Sequence, residues 1–209
     1  MTLRYQALVE QLADVGRQAV GRGLVLASGG NLSARCPDAD AFVVTGAGTW
    51  LDRLEPDQFT TVGLDGRVLE GNPRPSTEWR LHRRTYQVRP DVHAIVHLHP
   101  QTAVLVDAIG QPIRLLTLDH AHYVRRVARV PYLPTGSDEL AEAAAEAARE
   151  CDAMVLAFHG CSALGDTIEM AWRRAMNLEE AAQATLRLLQ LGDTTTAFPE
   201  EAREALRHL

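Results

Sequence analysis

Apolar residues at Leu8, Leu12, Val15 and Ala19 recur at helical spacing, which predicts a helix over residues 4–22. The period then changes. After the turn sequence Ser28-Gly29-Gly30-Asn31, residues 31–36 alternate, with Leu32, Ala34 and Cys36 expected inward. Phe42-Val43-Val44 is a short apolar run, and both segments read as strands. Asp65-Gly66 between Thr61-Val62 and Val68-Leu69 is a hairpin signal. Ser76-Thr77-Glu78 opens a helical pattern that reaches Val88. Arg89-Pro90-Asp91 ends it, because the residue before a proline disfavours α backbone.

The second half continues the alternation. Residues 94–99 read as a buried strand, 101–109 as a short helix, and 113–118 and 127–132 as strands. Ser137-Asp138 caps a helix rich in Ala and Glu that runs to about Glu150. Residues 153–158 form the next buried strand, Cys161 to Leu164 extends the sheet, and a long helix covers roughly 167–191. Strands alternate with helices while hairpin signals are mixed in. The pattern predicts one α/β domain over residues 1–209, three-layered around a central mixed or antiparallel β-sheet.

One apolar strand stops at Val96-His97-Leu98-His99. Strand side chains alternate faces, so His97 and His99 point the same way, about 7 Å apart along the strand. A lone histidine is usually a satisfied core residue, but two on one face can share a divalent ion. His159 ends another apolar run, and Gly160 after it allows close backbone approach. Three protein ligands leave an open position, which is the catalytic arrangement. Glu78, at a helix start, would elsewhere be read as dipole compensation; beside a cation it becomes a candidate general base. Cys151 and Cys161 are competing ligands, while His82, His93, His120 and His122 read as supporting or surface groups.

Composition narrows the setting. The chain is 46% apolar and 23% charged with a formal charge of −6, which is ordinary for a globular protein and argues against bulk nucleic-acid binding. No apolar run approaches membrane length, and no signal-peptide pattern opens the chain, so no membrane association is expected. Three unpatterned cysteines suggest a reduced, cytoplasmic protein. Three segments could hold an anion. Gly29-Gly30-Asn31 and Thr45-Gly46-Ala47-Gly48 are Gly-containing loops, and Ser76-Thr77 places hydroxyls at a helix N-terminus. Together they suggest a small phosphorylated ligand.

These segments, in this order, resemble the class II (zinc-dependent) aldolase/adducin family. They are SGGNLSAR (28–35), VTGAG (44–48), PSTEWRLH (75–82), AIVHLHP (94–100), the His-Tyr region near 120–123 and AFHG (157–160). The resemblance covers roughly residues 5 to 190, and PSTEWRLH is most similar to the L-fuculose-1-phosphate aldolase branch. It implies a three-layer α/β/α fold, with Zn2+ (or Mn2+ or Co2+) on His97, His99 and His159 and Glu78 as the acid/base. Gly30, Asn31, Thr45, Gly46, Ser76 and Thr77 would hold the phosphate of a sugar substrate. Tyr123 would reach a neighbouring subunit's site in a homotetramer and protonate the aldehyde oxygen.

The reaction this implies is cleavage of a short ketose 1-phosphate to dihydroxyacetone phosphate and an aldehyde. The same site could instead serve a methylthioribulose-1-phosphate dehydratase, a sugar-acid phosphate decarboxylase or a pentulose-phosphate 4-epimerase. An adducin-like scaffold would be expected to lose the metal ligands, and a cupin oxygenase places its glutamate after His-x-His. Two departures from the family pattern stand out. Phe158 precedes the third histidine where Asn or His is usual, and Thr45-Gly46-Ala47-Gly48 replaces the usual Thr/Ser-Pro-Ser/Thr-Gly.

Overall fold

The first apolar stripe becomes helix α1 (Gln6–Gly21), whose Val9, Leu12, Val15 and Ala19 are buried. The structure, a computed structural model, describes residues 5–206. Then follow β1 (Asn31–Arg35), β2 (Ala41–Thr45), β3 (Phe59–Gly63) and β4 (Val68–Gly71), with α2 (Trp79–Val88) after them. The chain continues through β5 (Ala94–Leu98), α3 (Gln101–Ala108), β6 (Val127–Val130) and α4 (Asp138–Ala148). It closes with β7 (Ala153–Leu156), β8 (Gly160–Gly165), α5 (Ile168–Gln190) and α6 (Glu200–Leu206). Ser137 caps α4 as its sequence suggests, accepting from the Leu140 amide at 3.1 Å, and Thr167 does the same for α5.

The eight strands form one sheet in the order β4-β3-β2-β1-β5-β8-β7-β6. Every neighbouring pair is antiparallel except β6–β7. Helices cover both faces, which gives the three-layer α/β/α arrangement. The pleat of β5 shows how: Ala94, Val96 and Leu98 pack with α1 and α5, while Ile95 joins the core under α2 and α4. His97 shares that second face. Among the described residues, no helix is long and apolar enough to cross a membrane.

One expected strand is absent. Residues 113–118 are irregular, because partners outside the sheet take their backbone groups. The Arg114 amide donates to Thr185 Oγ1 of α5 at 2.9 Å, and the Leu115 carbonyl accepts from the Phe198 amide at 2.7 Å. The chain then makes a single widened helical turn over His120–Val124. The strand expected over 127–132 ends at Val130.

Candidate metal centre

β5 lies between β1 and β8, so His97 emerges in the middle of the sheet. The strand's end brings His99 back to the same side, and the tight turn from β7 to β8 delivers His159. The three imidazole rings form a near-equilateral triangle with centroids 5.0–5.1 Å apart. Glu78, just ahead of α2, closes the group. Its Oε2 is 3.0 Å from His97 Nε2, and its Oε1 is 3.4 Å from His159 Nε2. One donor atom from each of Glu78, His97, His99 and His159 lies within 4.8 Å of the others.

The donors suit a divalent ion. His97 Nε2 and His99 Nε2 are 3.2 Å apart; two nitrogens on one tetrahedral zinc stand about 3.3 Å apart. Glu78 Oε1 is buried and has no hydrogen-bond partner among the described residues. Two glycines make room for the rings. A Cβ at Gly160 would stand 2.7 Å from His99 Cδ2, and one at Gly29 would stand 2.9 Å from His99 Nδ1. Burial pushes His99 down to about 4, helped by repulsion from its two neighbours, and lowers His159 in the same way. Burial alone would raise the Glu78 carboxyl. The facing His97 and His159 and the Asn31 amide outweigh it and hold the group well below the usual carboxylate range.

A polar network backs the cluster. Asn31 Nδ2 donates to Glu78 Oε2 at 3.0 Å, and Asn31 Oδ1 meets His82 Nε2. His82 Nδ1 lies 2.6 Å from Ser33 Oγ, which lies 2.7 Å from the Tyr86 hydroxyl. His82 is wholly enclosed, and that burial pushes it down to about 3. On the other flank, His97 Nδ1 is 3.2 Å from Ser162 Oγ.

Residues 10–186 match the family described as the class II aldolase and adducin N-terminal domain. This chain belongs to that family. Like it, the L-fuculose phosphate aldolase of Methanocaldococcus jannaschii is 33% identical over 177 residues, 85% of this chain and 94% of that one. A 5-methylthioribulose-1-phosphate/5-deoxyribulose-1-phosphate aldolase from Rhodospirillum rubrum is 32% identical over 206 residues, covering 96% and 90%. The crystal structure of a putative aldolase/epimerase/decarboxylase from Klebsiella pneumoniae superposes with a TM-score of 0.88 at 30% identity, covering 97% and 98%.

In this class II aldolase/adducin domain the three candidate anion-binding segments meet beside the Glu/His cluster. The Ser76 amide donates to the Thr45 carbonyl, Gly46 bridges to Pro75, and the Leu32 amide donates to Thr45 Oγ1. Gly30 adopts φ +72° just before Asn31, and Thr77 is exposed at the start of α2. The Gly46 amide, however, is committed to the Gln58 carbonyl, and both ends of the Asn31 amide are committed to Glu78 and His82.

Other candidates lie elsewhere. Tyr123 is not part of this cluster: its hydroxyl accepts from Arg173 of α5 at 3.1 Å. His120 is buried against Glu180, His122 meets the Tyr123 ring edge-on, and His93 is exposed. Cys161 faces the α3–α5 core, because the pleat of β8 turns it away from Ser162. Cys36, Cys151 and Cys161 are all buried thiols. The sequence reading missed Ser162, and it undervalued His82. The four-residue steps from Glu78 through His82 to Tyr86 were the available signal.

Proposed function

We propose that this chain is a metal-dependent aldolase that cleaves a short ketose 1-phosphate to dihydroxyacetone phosphate and an aldehyde. The observation that carries the reading is the buried Glu78 carboxylate, clustered with three imidazoles and with its Oε1 free of any hydrogen bond among the described residues. A divalent ion held by His97, His99 and His159, with zinc the best match to the donors, would supply Lewis-acid stabilisation of the charge that develops on the substrate oxygens.

The chain's own groups do the rest. In the bond-forming direction Glu78 removes a proton from the carbon of the dihydroxyacetone phosphate fragment that attacks the aldehyde. Tyr123 of a second copy then protonates the aldehyde oxygen, and cleavage runs the same transfers backwards. Gly30, Asn31, Thr45, Gly46, Ser76 and Thr77 border the phosphate end, where remote binding energy fixes the reacting end in place. Sites completed between copies call for a homotetramer. The relatives named above support a sugar-phosphate substrate.

The test is turnover of zinc-loaded protein on L-fuculose, L-ribulose, 5-deoxyribulose and methylthioribulose 1-phosphates, with a chelated control. Chelator-sensitive release of dihydroxyacetone phosphate is expected, and Glu78→Gln should abolish it with zinc still bound. Carbon dioxide from a 3-oxo acid phosphate, with no triose released, would move the protein to the decarboxylase branch.

A further inference from the structure

Two periodicities meet behind the cluster. Glu78, His82 and Tyr86 follow one another at four-residue steps along one face of α2, and Asn31 and Ser33 alternate on one face of β1. The five side chains interleave into a single file: Tyr86, Ser33, His82, Asn31, Glu78. The carboxylate at its end only accepts, so Asn31 must present its amino group to Glu78 and its carbonyl to His82. His82 Nε2 must therefore carry the proton. With a neutral imidazole, Nδ1 is a bare acceptor, filled by the Ser33 hydroxyl, which in turn accepts from Tyr86. Every bond donates toward Glu78, an arrangement in which each strengthens the next.

The consequence falls on the two carboxylate oxygens. Oε2 is occupied by Asn31 and faces His97 Nε2 at 3.0 Å. Oε1 has no partner. We propose that His82 is a positioning residue: by donating to the Asn31 carbonyl it anchors the amide against Glu78, which keeps Oε2 occupied and leaves Oε1 as the proton-accepting atom. This rests on the reading of Glu78 as the base. Without His82 the Asn31 carbonyl loses its donor, and the amide is free to swing away from the carboxylate.

Replacing His82 by Phe keeps a ring and removes both nitrogens, whereas His82→Gln keeps an N–H close to the Nε2 position. His82→Phe is expected to lower kcat about 10- to 100-fold with little change in KM. It should also raise the acid limb of the pH profile and leave zinc content intact. His82→Gln should recover most of the rate. Nitrogen NMR of the zinc-free wild-type protein gives an answer independent of turnover and of either variant's folding: His82 should show a bare Nδ1 and a protonated Nε2. A protonated Nδ1, or a His82→Phe enzyme with wild-type kcat and acid limb, would overturn the proposal. If the wild-type protein cleaves no ketose phosphate, the reading of Glu78 fails, and the NMR result still decides whether the donor chain exists.

Discussion

His97 on β5 and Ser162 on β8 are direct cross-strand partners, and their side chains meet as Nδ1 and Oγ at 3.2 Å. With Nδ1–H donated to the hydroxyl, Nε2 is left with its lone pair toward the cluster. Ser162→Ala is therefore expected to weaken zinc binding about 10- to 100-fold while preserving the fold. Competition against a chromophoric chelator measures this, and unchanged affinity would show that Ser162 does not set the tautomer.

Gly160 leaves no room for a side chain. An added Cβ would collide with the Leu98 carbonyl and crowd His99 Cδ2 at 2.7 Å. Because the closest obstacle is backbone in the middle of the sheet, the strand pair would have to part. Gly160→Ala should lower both the melting temperature and the zinc stoichiometry. A variant that melts as the wild type does and binds one equivalent would contradict the close packing.

Stability of the metal-free protein should fall on the acid side. His82 sits at about 3 and His99 at about 4 in the fold, against 6.5 for a free imidazole. Below pH 6.5 the unfolded chain takes up protons that the folded one refuses, so stability is full above that value and declines toward pH 4. For enclosed His82 the slope is about 1.4 kcal/mol per pH unit. Glu78, lowered from 4.5, adds a loss in the same direction only below its unfolded value. Urea midpoints at pH 7.5 and pH 5 check this, and His82→Gln should show the shallower decline.

Phe158 carries an aromatic side chain at φ +58°, a left-handed conformation that non-glycine residues rarely adopt, and it is largely exposed. Asparagine tolerates that backbone better. Phe158→Asn should therefore gain on the order of 1 kcal/mol of stability. Equal or lower stability would mean that the ring makes a compensating contact.

The clustering of the three histidines was legible because its signals are local. An apolar strand ending in His-x-His, and a His-Gly at the end of a second run, need only the pleat to be interpreted. The layers were legible from helix and strand periods. The buried polar file was not. Alternation along residues 31–36 marks one apolar face, and a sequence alone assigns the polar face to solvent, whereas here α2 covers it. The irregular 113–118 segment was misread for a related reason. Its Ile113 and Leu115 pack in the core around α3 and α5, while its backbone bonds go to Thr185 and Phe198, contacts no local pattern encodes. α6 was missed although Pro199-Glu200-Glu201 is a recognisable helix start.

The strand order gives the site a mechanical character of its own. Its side chains come from the end of β5, the β7–β8 turn and the start of α2, while the sheet's edges are β4 and β6. Edge strands fray first and exchange their amide protons soonest. Such fraying passes the histidines by. They should stay in place through the everyday opening of the sheet's margins and part company only in the rare event that separates β5 from β8.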